Sequence, residues 1–174
     1  KYFSLLRWWY ELKIAKYFAE NNKKYFSHFS SCNNNFKIDE NKRLKQTIWC
    51  NSCPKCAFVF AILRPYLSEI EIISIFGEDL FLKNDLTQTY MELLGYDSIK
   101  PFECVWETEE VVLAFYESLK FYDWKISEIL EIFRKNILTK YDLSYFELLQ
   151  KKFATISSDD IIPEKLKQIL LKNI

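Results

Sequence analysis

Four of the five cysteines are spaced as ligands of one metal ion. Cys50, Cys53 and Cys56 follow the pattern C-x2-C-x2-C, and Cys32 lies upstream of them. Four thiolates suit the tetrahedral preference of Zn²⁺, which binds sulfur at about 2.3 Å. The C-x2-C spacing lets two thiolates reach one ion while nearby backbone N–H groups point at the sulfurs. The pattern therefore predicts a zinc site, and a structural one, because four protein ligands leave no position for a substrate.

Other states of these thiols stay open at the level of sequence. An iron–sulfur cluster also takes three close cysteines and a distant one, and it is the main rival to zinc. Disulfides are less favoured because the chain shows no secretion signal, and a redox-active C-x2-C lacks the βαβ context that it needs. Free core cysteines would scatter over apolar positions, whereas these four lie among Asn, Ser, Lys and Pro.

Two regions outside this pattern carry further candidate residues. His28 is the only histidine, and it is more simply a surface or half-buried residue than a base or a fifth ligand. Cys104 follows Glu103 and lies shortly before a helix predicted to begin at Thr108. We favour Cys104 as a small buried apolar residue over a thiol whose pKa is lowered by that helix N-terminus.

The composition is that of an ordinary globular domain. Of 174 residues, 49% are apolar and 28% charged, and 24 basic residues balance 24 acidic ones. Zero net charge argues against a general nucleic-acid binder and against a polybasic membrane contact. No apolar run approaches the roughly 20 residues of a membrane helix. The two glycines, Gly77 and Gly95, are too far apart for a glycine-rich phosphate loop, so nucleotide chemistry would need residues outside this chain.

The order of apolar residues predicts an all-helical, mainly α fold. Helical spacing runs from Tyr2 to Glu20, and again from Pro54 toward Pro65 in a segment that is apolar nearly all round and is expected to be the buried central helix. Between them, residues 23–52 are polar and irregular, so a bound metal is expected to hold this loop against the helices. Further helices are predicted to begin at these residues: Ser68, Asp85 (with Gln88), Thr108, Ser127, Asp142 and Pro163.

Pro101 marks the best candidate for a domain boundary. It divides the chain into residues 1–100, which carry the four-cysteine pattern, and a helical region at residues 101–174. The sequence begins at Lys1, without Met and without a basic-then-apolar signal segment. We therefore expect a piece of a longer, cytoplasmic protein.

Two strings are the most specific features of the chain: W-C-x2-C-P-K-C-x-F-V-F at residues 49–60 and K-P-F-E-C-V at residues 100–105. Shorter strings accompany them, in order, at residues 2–7, 11–15, 29–33, 76–81 and 92–95. Together they resemble the C-terminal half of the UDP-MurNAc-L-Ala-L-Glu epimerase (MurL) family, over residues 2–112.

This resemblance implies a C-terminal fragment of a larger α/β enzyme of the PP-loop ATP pyrophosphatase group. The family uses ATP with Mg²⁺ to invert the terminal L-Glu of a UDP-linked muramyl peptide to D-Glu, releasing AMP and pyrophosphate. Adenylation removes the charge of the α-carboxylate, so the α-proton becomes acidic enough for a side-chain base. The Ser-Gly-Gly-x-Asp-Ser ATP loop of the group is absent from this chain, which is therefore expected to be inactive alone.

Within the resemblance, Cys104 and Glu103 are expected to be catalytic residues near the reacting centre. Arg7 is expected to bind a substrate carboxylate or phosphate through its planar guanidinium. The four-cysteine pattern also resembles that of the cyano-deazaguanine synthases, in which it holds a structural zinc. Two positions depart from the family pattern, since Trp8 replaces a Pro and Trp106 replaces a Gly. They raise the hypothesis that some Trp positions are translated under the wrong genetic code, which the coding DNA and a mass spectrum would test.

Two other functions also fit the sequence. One is a zinc-stabilised helical binding module, favoured by the missing ATP loop, the helix-rich C-terminal half and the zero net charge. The other is a PP-loop enzyme acting on a modified nucleobase or tRNA, although the neutral charge argues against tRNA. A UDP-linked muramyl peptide is the expected partner, no membrane contact is expected, and the oligomeric state is left open.

Overall fold

The chain folds as an assembly of short α-helices. The computed structural model describes residues 6, 9–39, 41, 43, 48–96, 107–122, 127–156, 163 and 168. The helices in this part are α1 (Glu11–Asn21), α2 (Pro54–Leu63), α3 (Glu69–Phe76), α4 (Thr87–Leu93), α5 (Thr108–Ser118), α6 (Glu128–Asn136) and α7 (Leu143–Ala154). Single 3-10 turns span Lys23–Tyr25, Arg64–Tyr66, Leu80–Leu82, Asn84–Leu86, Leu119–Phe121 and Leu138–Lys140. No strand occurs among these residues, and the predicted mainly α fold is confirmed.

Helix α2 is the centre of the fold, as its sequence predicts. It packs against α1, α3, α4 and α5, and seven of its ten residues are buried. A helix without a polar face is stable only in the interior, because each of its faces needs an apolar neighbour. Pro54 occupies the first turn, where its missing N–H costs nothing. The buried helix then ends at Leu63, shortly before Pro65.

Local capping signals set three helix starts where the sequence predicts them. Ser68 and Glu71 form a reciprocal capping box at the start of α3. The Ser127 hydroxyl accepts a hydrogen bond from the Leu130 N–H at α6, and the Asp142 carboxylate accepts one from the Tyr145 N–H at α7. These three predictions are confirmed. Such caps can be predicted from sequence because donor and acceptor lie within one turn and need no tertiary contact.

Two predicted helix starts are wrong. The helix predicted from Tyr2 to Glu20 begins only at Glu11 in the structure. Trp9 and Tyr10 lie outside it, because the Trp9 backbone forms an isolated antiparallel bridge to Ile156 and the Tyr10 backbone is extended. The predicted start at Asp85 is also displaced. Asp85 belongs to a 3-10 turn, and α4 begins at Thr87 without a side-chain cap.

A continuous series of aromatic ring contacts links the irregular loop to the helical core. Neighbouring centroids are 4.5–5.4 Å apart, which is within the usual range for aromatic pairs. The members, in order of contact, are Phe18, Phe29, Trp49, Phe76, Phe60, Phe81, Phe115 and Phe133. We call this set the aromatic series. It explains how a polar loop can be attached to an apolar helix bundle.

Several expectations concern residues outside the described part. The predicted boundary at Pro101 lies there, so the division into residues 1–100 and 101–174 stays a prediction. Of the predicted C-terminal helix from Pro163, only residues 163 and 168 are described. Across the described helices, none combines the length and the apolar character needed to cross a bilayer.

Candidate metal centre

The structure brings the four predicted ligand cysteines together. The Sγ atoms of Cys32, Cys50, Cys53 and Cys56 all lie within 4.8 Å of one another, and together they could hold a metal ion. Cys32 and Cys56 have no exposed surface, Cys53 is buried and Cys50 is half-buried. The four sulfurs therefore meet in an enclosed place although their sequence neighbours are polar.

The sulfur separations match a tetrahedral ion better than a disulfide. Four sulfurs about 2.3 Å from one centre are about 3.8 Å apart along each tetrahedral edge. The Sγ atoms of Cys50 and Cys56 are 3.7 Å apart, and those of Cys53 and Cys56 are 3.5 Å apart. A disulfide would bring two sulfurs to about 2.05 Å. All four thiols are free, so the residues fit a single thiophilic ion.

Hydrogen bonds and burial lower the pKa of two of the four thiols and raise the pKa of the other two. The hydrogen-bond contact between the Cys53 and Cys56 sulfurs lowers the pKa of Cys53 to about 4 and raises that of Cys56. Burial raises the pKa of Cys50, but hydrogen bonds from the Ser52 hydroxyl and backbone outweigh it, so the pKa is lowered. Burial raises that of Cys32. A cation that replaced the shared protons would be held by four thiolates, the form in which cysteine binds metal.

Backbone N–H groups form hydrogen bonds with the sulfurs, and the donor from Ser52 lies within the C-x2-C segment, as its spacing predicts. The N–H groups of Cys50, Asn34 and Asn35 form hydrogen bonds with the Cys32 sulfur. Ser52 contributes both its N–H and its hydroxyl to Cys50, with the hydroxyl 3.3 Å from the sulfur. These donors partly neutralise thiolate charge without adding a cation.

Asn51 shapes the turn between the first two clustered cysteines. Its φ is 53°, and it is the non-glycine residue with positive φ among those described. Asparagine tolerates this left-handed conformation better than most residues. The Asn51 amide donates to the Phe76 carbonyl at 2.7 Å and to the Glu78 carboxylate at 3.1 Å. The ligand turn is thereby attached to the C-terminal end of α3.

The segment around Cys32 is also hydrogen-bonded to the segment that precedes Cys50. The Ser30 hydroxyl donates to the Ile48 carbonyl at 2.5 Å, and the Asn35 side-chain amide donates to the same carbonyl. Ser30 also accepts a hydrogen bond from the Cys32 N–H at 3.2 Å. Cys32 is therefore fixed beside the segment that leads into Cys50 before any ion is considered.

The other predicted site residues are distributed differently. His28 is exposed, with Nδ1 2.8 Å from the Ser27 hydroxyl, and is a surface residue apart from the sulfurs. Arg7, Glu103 and Cys104, like Trp8 and Trp106, lie outside the described residues. Sequence reasoning missed Asn51, although an asparagine inside a C-x2-C turn is a usable signal for left-handed backbone.

Comparison with known protein families identifies the family of this chain. The model of the MurL C-terminal domain matches residues 28–145, which include all four sulfur ligands. The chain belongs to the MurL C-terminal domain family. No solved structure matches it significantly.

Individual MurL relatives agree with the family match. The UDP-N-acetyl-alpha-D-muramoyl-L-alanyl-L-glutamate epimerase of Xanthomonas oryzae pv. oryzae is 36% identical over 95% of this chain and 36% of its own length. Proteins of the same name from a Micromonospora species and from Salinispora tropica are each 46% identical over 65% of this chain and 24% of their own length. The chain thus spans about a third or less of these relatives.

Proposed function

We propose that this chain is the metal-stabilised C-terminal part of an ATP-dependent epimerase acting on UDP-N-acetylmuramoyl-L-alanyl-L-glutamate. The observation that carries the proposal is 36% identity, over nearly the whole chain, to a relative named for that activity. The reaction inverts the terminal L-Glu to D-Glu in the cytoplasm. ATP and Mg²⁺ would bind to a PP-loop part of the intact protein, because the glycine-poor chain offers no phosphate loop.

The ion at the four cysteines is zinc, and its role is structural. Sulfur separations of 3.5 and 3.7 Å and the burial of three ligands support a closed tetrahedral site. Such an ion supplies folding free energy, because its four ligands come together only in the folded chain. The ligand residues hold it, and Asn51 attaches their turn to α3.

The reacting groups of this chain are Glu103 and Cys104, with Arg7 as a carboxylate or phosphate anchor. A carboxylate beside a thiol can exchange the α-proton of an activated glutamyl group. The sequence that carries both residues leaves the described structure at Tyr96 and returns at Glu107. This assignment follows from the K-P-F-E-C-V string that the chain shares with the family pattern.

Turnover of the intact protein tests the activity. D-Glu formation and AMP release are measured with UDP-N-acetylmuramoyl-L-alanyl-L-glutamate and ATP. Glu103→Gln and Cys104→Ser are expected to lower kcat by roughly 100-fold or more, while Glu147→Gln, an exposed carboxylate on α7, leaves it unchanged. Absence of D-Glu from the unaltered protein would remove the proposed function. Full turnover by both variants would remove only the residue assignment.

Metal analysis tests the centre independently. One zinc per chain is expected, with loss of the metal in Cys53→Ser and retention in Ser31→Ala, an exposed neighbour of Cys32. Iron with sulfide in a coloured protein would instead establish the iron–sulfur alternative. Neither outcome depends on an assay of turnover.

A further inference from the structure

A cavity lies between the start of α5 and the connection from α6 to α7, and none of its lining residues is a metal ligand. Its volume is about 500 Å³, within the range of small-molecule sites. Leu94, Val112 and Ile137 form a buried apolar part of its lining. Its polar lining consists of Tyr96, Thr108, Glu109, Lys140, Tyr141 and Tyr145. We call it the tyrosine pocket.

The tyrosine pocket offers a flat aromatic surface. The rings of Tyr141 and Tyr145 are stacked, with centroids 4.1 Å apart and planes 10° from parallel. Tyr141 is 39% exposed, whereas Tyr145 is half-buried. Burial raises the pKa of Tyr145 to about 12. A planar heterocycle placed on Tyr141 would extend a stack that is already formed, which limits the ordering cost of binding.

A cation stands beside this aromatic surface. Lys140 Nζ lies 5.1 Å from the centroid of the Tyr96 ring, which is itself 43% exposed. The Lys152 ammonium donates hydrogen bonds to the carboxylates of both Glu109 and Glu107 at 2.6 Å, so the charge of Glu109 is partly offset. Lys140 is left as the ammonium available to an anionic group in the pocket. A ring platform and a neighbouring ammonium are the two elements that recognise a nucleotide.

The pocket is also lined by Gly95 and Thr108, which lie on either side of Glu103 and Cys104 in the sequence. A Cβ on Gly95 would be 2.9 Å from the Thr108 side chain, so the backbone at Gly95 and the start of α5 are in close contact. Both residues line the pocket. Glu103 and Cys104 belong to the sequence between them. A ligand held here would therefore contact residues that flank that segment in the sequence.

We propose that the tyrosine pocket binds the uridine diphosphate part of the substrate, with the base stacked on Tyr141 and the diphosphate at Lys140. The choice of a uridine nucleotide over other nucleotides rests on the proposed function. The Thr108 hydroxyl and the Glu109 carboxylate are the polar groups available to the edge of the base.

UDP binding to the intact, metal-loaded protein tests this inference without any assay of turnover. Stacking on an aromatic side chain contributes about 1–3 kcal/mol per base, so Tyr141→Ala is expected to weaken UDP binding by about 5- to 150-fold. Tyr141→Trp should preserve binding. Lys140→Ala should weaken UDP more than it weakens uridine, since uridine lacks the diphosphate. Metal content and the circular dichroism spectrum show whether each variant is folded.

The chain supplies a matched control for the pair Tyr96 and Lys140. Lys24 Nζ lies 5.0 Å from the Tyr25 ring, which is 48% exposed and lies outside the tyrosine pocket. Alanine at both control positions should leave UDP binding unchanged, whereas alanine at Tyr96 and Lys140 should weaken it. Unchanged UDP affinity in folded Tyr141→Ala and Lys140→Ala would overturn the inference, as would a loss of ATP affinity in its place. UDP binding without epimerase activity would remove the proposed function and leave the pocket.

Discussion

At the scale of single residues, the metal centre depends on backbone that few side chains can adopt. Asn51 combines a positive φ with two hydrogen bonds that reach the end of α3. Its amide donates to the Phe76 carbonyl, which is one of the carbonyls left without a partner at a helix C-terminus. The ligand turn and α3 thus stabilise each other through a side chain that touches no sulfur.

Substitution of Asn51 separates these two contributions. Asn51→Gly keeps the left-handed backbone but loses the amide bonds, at an expected cost of about 1 kcal/mol in unfolding free energy. Asn51→Ala loses the bonds and also strains the backbone, for roughly 1–2 kcal/mol more. Chemical denaturation of the metal-loaded protein measures both. Equal stabilities of the two variants would show that the left-handed conformation carries no cost.

Tyr122 joins the buried Arg64 to the half-buried Asp79. It accepts a hydrogen bond from Arg64 Nε at 2.6 Å and donates one to the Asp79 carboxylate at 2.6 Å. Arg64 is 1% exposed, although an arginine at the end of an apolar helix would be expected at the surface. Its guanidinium also donates to the Leu67 carbonyl and lies 4.2 Å from the Phe121 ring centroid.

Loss of the Tyr122 hydroxyl should therefore be costly. Tyr122→Phe leaves Arg64 and Asp79 without their common partner, and unfolding free energy is expected to fall by roughly 1–3 kcal/mol. Tyr90→Phe is the matched control, because Tyr90 is fully buried and its hydroxyl has no hydrogen-bond partner among the described residues. Urea denaturation compares the two. A similar small effect in both would mean that the bridge is not stabilising.

At the scale of helices, α1 receives its N-terminal cap from a distant element. Tyr10 provides no side-chain cap. The Glu110 carboxylate, on α5 and 2% exposed, accepts a hydrogen bond from the Leu12 N–H at 3.1 Å. Burial, with the nearby carboxylates of Glu11 and Glu107, raises the pKa of Glu110 to about 7. Helix α1 is thus held to α5 by a carboxyl group that is protonated more readily than an ordinary glutamate.

This raised pKa makes stability depend on pH. Because the folded pKa exceeds the ordinary value of 4.5, the contribution is complete below pH 4.5 and is lost as pH rises through about 7. The loss is on the order of 3 kcal/mol. Glu110→Gln should remove it, so the variant should be more stable than the parent at pH 8 and similar to it near pH 4.5.

The difference between variant and parent removes pH effects that both share, such as proton competition at the thiolates. Glu147→Gln, on the exposed surface of α7, should follow the parent at every pH. Unfolding curves between pH 4.5 and 8 provide the measurement. A constant difference between Glu110→Gln and the parent over this range would contradict the assignment.

These helices also show how far local sequence determines the fold. The caps at Ser68, Ser127 and Asp142 are predictable because donor and acceptor lie within one turn. The cap of α1 is not, since Glu110 is 98 residues away from Leu12. The first helix was predicted too long for the same reason, because the partner of Trp9 is Ile156.

The candidate site also has features that the sequence predicts and features that depend on folding. Cysteine spacing alone predicted which four sulfurs meet, because C-x2-C geometry is local and the chemistry of the ligand set restricts the rest. The burial of Arg64 and the tyrosine pocket could not be predicted, since each depends on elements that are brought together only by folding.

At the scale of the whole molecule, the loop and the bundle are held together by two different means. The four sulfurs bring Cys32 and the turn at residues 50–56 to one centre, while the aromatic series continues from Phe29 and Trp49 into the core. Trp49 is 3% exposed and precedes the first clustered ligand. Metal binding and aromatic packing therefore act on the same short segment.

Metal removal should open this segment and leave the bundle folded. A structural zinc contributes roughly 10–16 kcal/mol of apparent binding free energy, but α5, α6 and α7 take no ligand from the site. After chelation, hydrogen exchange is expected to speed up strongly at residues 29–36 and 48–53 and to change little in those three helices. The second half of α2 should stay protected, because its apolar contacts with α4 and α5 remain. Cys53→Ser should reproduce this pattern without chelator, and chelator should add nothing to it. Equal loss of protection along the whole chain would instead show that the ion holds the entire fold.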